Sequence, residues 1–289
     1  MTQSLLPLTI SVVTPSYKQA DWLRLCAASV ADQSGPGFTV EHIVQDALSG
    51  SEVAEALQSF PNVRLVSEKD SGMYDAINRG WDKATGNIIC WLNCDEQYLP
   101  GTLALVADYF RVHPQTDVLF GDAAVVNEDG GYLCSRQVLV PHLYHTWICH
   151  LATLSCATFF RRQFLLDHAT TFDTRWRMAG DAALMLRIIQ SGARMDVLRR
   201  YLATFVDNGE NLGLLPRAVE EHRALAAEAP RWSQPLSRLW VLHHRLRRLW
   251  HGLYRPQPFT YDIHTRTSPQ KRVHFEVARP TFYWSTRMN

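Results

Sequence analysis

The chain has 289 residues, 46% of them hydrophobic, and 29 basic against 28 acidic side chains give it a net charge of +1. That is enough apolar material for a sizeable core, as one large domain or as a domain with an appendage, and the even balance excludes a nucleic-acid binder of the usual markedly basic kind. No run approaches the ~20 apolar residues needed to cross a bilayer.

The N-terminus, MTQSLLPLTISVVTPSY, has no basic leader and reads as the first strand rather than a signal peptide. Residues 8–13 (LTISVV) predict that strand, stopped by Thr14-Pro15-Ser16-Tyr17, where the proline fixes the backbone. A helix over 21–32 would turn Trp22, Leu25, Cys26, Ser29 and Val30 inward. Residues 40–44 then make a strand ending at Gln45-Asp46, 54–60 a helix and 63–66 a third strand. This alternation predicts a doubly wound α/β fold with a Rossmann-like, mostly parallel sheet flanked by helices. Tyr17 and Asp46 stand at strand ends, able to face a ligand or to serve only as turn residues.

Residues 68–80, EKDSGMYDAINRG, form a loop-to-helix junction in which Asp70-Ser71-Gly72 is turn and cap, and Met73, Ile77 and Trp81 share one face. A helix that opens on glycine can aim backbone N–H groups at an anion; an ordinary solvated face is the plain alternative. The run 88–92 (IICWL) suits a strand covered on both faces, and it ends abruptly in Asn93-Cys94-Asp95-Glu96. Ligands of open α/β sheets sit beyond the carboxyl ends of strands, so oxygen donors there are placed for a hard cation and a phosphate, or else cap the next helix.

Further on, a helix over 102–113 carries Leu103, Val106, Ala107 and Phe110 on one face. A strand over 117–120 leads to a hairpin turn through Glu128-Asp129-Gly130-Gly131, and 157–160 is apolar before Arg161-Arg162. Asp181 opens a helix whose inner face holds Leu184, Met185 and Ile188, the usual place for a capping carboxylate. The six cysteines at 26, 90, 94, 134, 149 and 156 show no CxxC pairing and read as reduced and buried in a cytoplasmic protein.

Taken in order, TPSYKQ, Asp46, DSGMYDAINRG, LNCDE and the Asp181 that precedes AALMLRI resemble glycosyltransferase family 2, the inverting nucleotide-sugar transferases of GT-A fold. The resemblance spans residues 8–229, which it makes the catalytic domain, with 230–289 as a C-terminal helical extension and tail. It implies that Thr14, Pro15 and Tyr17 line the nucleoside pocket and that Asp46 accepts a hydrogen bond from the base. Asp70 and Asn78 would sit beside the nucleotide and donor sugar. Asn93 and Asp95 match the ends of the family's D-x-D motif, with Asp95 binding a divalent cation, Mn²⁺ or Mg²⁺, on the diphosphate, and Asp181 would be the catalytic base.

The chemistry asks for such a set. Cleaving a glycosyl phosphate leaves a diphosphate of growing negative charge, which a divalent cation stabilises as a Lewis acid. One carboxylate, two phosphate oxygens and waters satisfy an octahedral ion. Displacement with inversion needs a base on the opposite face of the sugar, contributing ~10²–10⁴-fold. The chain departs from the family at three places. No acidic residue follows Asp46 in Ala47-Leu48-Ser49-Gly50-Ser51, leaving Ser49 as the substitute. At the D-x-D motif, Asn93 replaces the first aspartate and Glu96 replaces a following one. Leu154-Ser155-Cys156 stands where a branch of the family carries a histidine, with His150 nearby.

The tail adds a different signal. From Arg231 through Tyr261 there is no acidic residue, and Leu239, Leu242, Leu246, Leu249 and Leu253 form a helical stripe with Trp240 and Trp250 at its edge. Such a helix fits three partners: an anionic membrane surface at 231–255, the catalytic domain itself, or a second copy in a homodimer. The stretch 265–289 is basic, aromatic and without a readable pattern.

The expectation is therefore a metal-dependent inverting transferase of bacterial surface-polysaccharide or glycolipid assembly. It would take a UDP-, GDP- or dTDP-sugar to a glycan or lipid-linked acceptor, in the cytoplasm or on the inner face of its membrane. A nucleotidyltransferase would show a glycine-rich, lysine-bearing loop after the first strand, which TPSYKQ is not. A non-catalytic nucleotide-sugar binder is the remaining alternative.

Overall fold

A computed structural model of the chain describes residues 8–33, 35–209 and 215–284. The start of the N-terminal segment and the end of the tail considered above lie outside them. In chain order come β1 (Leu8–Ser16), α1 (Ala20–Ala31), β2 (Phe38–Asp46), α2 (Ser51–Leu57), β3 (Val63–Ser67), α3 (Met73–Lys83), β4 (Ile88–Trp91), β5 (Gln97–Tyr98) and α4 (Thr102–Val112). Next are β6 (Val118–Val126), β7 (Tyr132–Arg136), α5 (Leu143–Ile148), β8 (Thr158–Arg161), α6 (Arg162–Asp167), α7 (Gly180–Gln190) and β9 (Met195–Val206). Beyond them lie α8 (Pro216–Ala227), α9 (Ser237–Trp250), β10 (Phe259–Thr265) and β11 (Ser268–Val277).

Among the described residues, nine strands form one sheet, ordered β3-β2-β1-β4-β8-β6-β9-β5 with β7 paired to β6. The half made of β3, β2, β1 and β4 is parallel, so four carboxyl ends share one edge. β8 enters antiparallel between β4 and β6, and β9 restores a parallel pair with β6. Every residue of β4 is buried, as its unbroken apolar run requires when helices cover both faces. On one face α1 and α4 bury Cys26, Val30, Leu103, Val106 and Phe110 against Ile10, Val12 and Cys90. On the other, Ile77 and Trp81 of α3 and Leu184 and Ile188 of α7 close over Val13, Ile89 and Trp91. Each such side chain contributes about 1.5–3 kcal/mol on burial. The frame of α1 differs from the sequence expectation: Leu23 is fully buried, and Trp22 is only partly covered, with the Arg266 guanidinium over its ring at 4.3 Å.

The C-terminal segment has two parts. β10 and β11 form a hairpin whose Tyr261, Ile263 and Val277 bury against Leu99, Val126 and Val206. Its backbone at His264 exchanges two hydrogen bonds with the Gln97 amide (2.8 and 2.9 Å), and Arg272 donates to both oxygens of Asp32 on α1 (2.6 and 2.8 Å). This order replaces the patternless reading of the tail; ladder bonds and a few buried aromatics hold a hairpin that alternation alone did not reveal.

The second part, α9, docks through its polar side. His243 and His244 pack on His142 and His145 of the α5 region (ring centroids 4.8 and 4.1 Å), and Trp240 stacks on Tyr144. Arg247 and Arg248 donate to the backbone carbonyls of Val140 and Gln137. The leucine stripe is thereby left outward: Leu239, Leu242, Leu246 and Leu249 are 51–65% exposed and Trp250 87%. Docking of that stripe on the chain's own catalytic domain, one of the three expected partners, is thus not what the fold shows. Leu253 alone of the five leucines is buried.

Candidate active site

The shared edge of β1, β2 and β3 sets Ser16, Asp46 and Ser67 in one register row, and the loops beyond them gather the polar residues of the sequence motifs. Asp46 is 1% exposed and knits these loops together, accepting from Ser49 N (2.9 Å), Ser49 Oγ (2.6 Å) and Ser67 Oγ (2.9 Å). Ser49 Oγ in turn accepts from Lys18 N at 2.8 Å, so the substitute foreseen for a second acid is already engaged. Thr14 lies under the edge, with Oγ1 on His42 Nε2 at 2.9 Å and near Cys26 Sγ at 3.6 Å. Its side chain therefore belongs to the core, and only its main chain is left to line a pocket. Pro15 is buried and its carbonyl accepts from Cys94 Sγ. Tyr17 is exposed, with Lys18 Nζ 5.2 Å from its ring centre.

The third and fourth loops bring the acids. Asp70 accepts from Gly72 N at 2.9 Å, and burial lifts its pKa above the ordinary carboxylate value. Gly72 has φ +129°, a left-handed turn for which glycine is suited, and it starts α3 without a side-chain cap. Asn78, expected beside the donor, spends both ends of its amide on the backbone of Phe172 (2.8 and 2.9 Å). It acts as a cross-link between α3 and the loop before α7. After β4, Asn93 N donates to Glu96 Oε2 (2.8 Å) and Ser155 Oγ to Glu96 Oε1 (2.9 Å). Complete burial, then the charge of Asp95, drives the Glu96 pKa to about 8, and burial drives Asp95 to about 6. Asn93 Oδ1 is buried with no hydrogen-bond partner.

Asp181 reaches this end of the molecule through α3. Tyr74 stacks on Phe172 (4.8 Å, 19°), Phe172 meets Trp91 edge-on (5.1 Å), and a Cβ at Gly180 would overlap the Tyr74 ring. Close contact with Tyr74 thus fixes the first turn of α7, whose second residue is Asp181. The Arg177 guanidinium lies over Gly72, with Nη1 2.6 Å from where a Cβ would sit. Motif reading singled out neither Arg177 nor Glu221, whose carboxylate on α8 holds the backbone of residues 177–179. A signal for Glu221 exists: it interrupts the row of Ala218 and Leu225, both buried, and is itself 8% exposed.

Chemically, the edge offers a row of carboxylates, three of them (Asp70, Asp95 and Glu96) pushed up by burial, with an unpartnered amide oxygen and an uncapped helix start nearby. Among the described residues, no group of three or more His, Cys, Asp and Glu could hold a metal on side chains alone.

The chain belongs to glycosyl transferase family 2, whose sequence model matches residues 11–176. It is a glycosyltransferase with the GT-A architecture. Among relatives, a PGL/p-HBAD biosynthesis glycosyltransferase of Mycobacterium bovis is 28% identical over 224 residues, 74% of this chain and 82% of the relative. The Staphylococcus aureus TarS structure with UDP-GlcNAc superposes with a TM-score of 0.61 at 20% identity, covering 76% of this chain and 66% of that one. This chain therefore spans just under two thirds of the length of that structure. The mannosyltransferase PcManGT of Pyrobaculum calidifontis, solved with GDP-Man and Mn²⁺, has a TM-score of 0.54 at 17% identity, covering 84% and 79% of the two chains.

Proposed function

We propose that the protein transfers a sugar from a nucleotide-sugar donor to a hydroxyl acceptor with inversion, aided by a divalent cation. The observation that carries the reading is the Asn93–Glu96 turn, where Asn93 Oδ1 is buried without a hydrogen-bond partner two residues before Asp95, while Glu96 is spent on Asn93 N and Ser155 Oγ. An amide oxygen and a carboxylate are a hard donor set that fits Mn²⁺ or Mg²⁺ shared with phosphate oxygens. When bound, the cation would supply Lewis-acid stabilisation of the leaving diphosphate. The nucleotide-sugar ligands of the two solved neighbours support a donor of this class.

The chain's own groups then have distinct tasks. Asp46, already joining three loops, holds the nucleoside side of the pocket in shape, with Pro15 and Tyr17 at its rim. Asp70 and the Gly72 turn fix the start of α3 toward the diphosphate. Asp181 takes the proton of the acceptor hydroxyl as its oxygen bonds to the anomeric carbon; the bond to the phosphate oxygen breaks, and its electron pair leaves with the diphosphate. A panel of UDP-, GDP- and dTDP-sugars assayed for Mn²⁺-dependent cleavage tests this. One or more donors should be consumed, Asp181→Asn should abolish transfer while nucleotide binding persists, and Asp95→Asn should remove the metal dependence. Nucleotide binding with no cleavage of any donor would favour a binding protein instead.

The outward face of α9 supports a site of action on an anionic lipid surface, with a lipid-linked or glycan acceptor of surface-polysaccharide or glycolipid assembly. Arg238 and Arg245 flank the exposed leucines, and no acid lies between 231 and 261 to repel such a surface. Salt-sensitive co-sedimentation with anionic liposomes is the expected result; no binding at low salt would exclude it.

A further inference from the structure

We infer that Glu221 of α8 is a positioning residue for the transfer step, holding the backbone that delivers Asp181. The inference rests on the reading of Asp181 as the base. Glu221 is buried, and its Oε2 accepts from Arg177 N (2.8 Å), Met178 N (2.7 Å) and Ala179 N (3.1 Å), with Arg177 N also 3.1 Å from Oε1. Arg217 Nε completes the set at 2.9 Å from Oε1. Three successive N–H groups converging on one anion make a nest, a concavity that a backbone forms only in a narrow range of conformations. These bonds are stronger to the carboxylate than to the neutral acid, and they hold the Glu221 pKa below the ordinary value against the opposing effect of burial.

Placement gives the nest its consequence. Ala179 is the residue immediately before α7 and provides no side-chain cap, so the Glu221 carboxylate sits at the positive end of that helix. Asp181 follows two residues later and Arg177 two residues earlier. With Tyr74 against Gly180 on the other side, the first turn of α7 is gripped at two points, one by packing and one by charge. Small displacements of a reacting group cost rate, about 10²-fold for 1 Å, without weakening the substrate contacts made elsewhere.

The experiment uses the full chain with UDP-GlcNAc or GDP-mannose, whichever the donor panel shows to be cleaved, and the variants Glu221→Gln, Glu221→Asp, Arg217→Ala and Asp181→Asn. Expected for Glu221→Gln is a kcat lower by about 10- to 100-fold with a donor KM within about threefold of the parent. Glu221→Asp should recover part of the loss, and Arg217→Ala, which removes one partner of the carboxylate and leaves its three backbone bonds, should lose less than Glu221→Gln. Amide hydrogen exchange should rise at residues 177–182 and stay unchanged in α3. Glu221→Gln retaining its kcat while Asp181→Asn is inactive overturns the inference alone. Equal losses in kcat, KM and melting temperature also overturn it, because they mark a general structural role. Full activity of Asp181→Asn would instead bring down the underlying reading of the base.

Discussion

Helices α3 and α9 are both amphipathic, and they use their two faces in opposite ways. In α3, Ile77 and Trp81 go inward beneath the sheet, where Trp81 meets Trp91, Phe160 and Phe172 with ring centroids 5.2–5.9 Å apart. In α9, His243, His244, Arg247 and Arg248 go inward, while Leu239, Leu242, Leu246 and Leu249 face solvent. A period of 3.6 residues marks a stripe in both cases but does not say which surface receives it. The outward leucines of α9 are the face that the proposed lipid surface would cover.

The comparison can be broken most forcefully at Trp81. Trp81→Ala should destabilise the fold by about 3–5 kcal/mol, read as a fall in the denaturation midpoint at unchanged slope. At the junction of α3 with α7, Gly180→Ala forces a methyl into the Tyr74 ring and should cost about 1–3 kcal/mol, with transfer falling further than stability alone explains. Polar docking of α9 should be acid-labile where apolar docking of α3 is not. Burial, with adjacent histidines and arginines, pushes His145 and His244 down to about 3, below their ordinary value near 6.5. Groups that must stay neutral in the fold stabilise it fully above about pH 6.5 and lose that contribution as pH falls toward 3. Trp240 fluorescence should therefore report release of α9 on acidification before α3 unfolds. Smallest of all, Leu242→Ser with Leu246→Ser should alter stability by no more than about 0.5 kcal/mol each while liposome binding drops.

Much of the parallel half of the sheet was legible because each strand ends in a turn signal and each helix carries an unambiguous stripe; β1 to β4 fall where alternation put them. Site residues were legible as types but not as tasks. Asn78 and Thr14 look like ligand-facing polar groups in sequence, and only tertiary contacts show the amide spent on Phe172 and the hydroxyl on His42. Glu221 escaped notice because the backbone it grips lies 42 to 44 positions away in sequence. β9 and the terminal hairpin depend on long-range ladders that local periodicity does not encode.

The grip of Arg272 on Asp32, and of the hairpin on Leu99, Val126 and Val206, sets an order of assembly on the ribosome. These early apolar residues wait uncovered until residues 259–277 emerge, so that side of the large sheet is closed only after the leucine-faced helix has also been translated. A chain ending short of residue 259 would leave Leu99, Val126 and Val206 uncovered and Asp32 of α1 without its guanidinium partner.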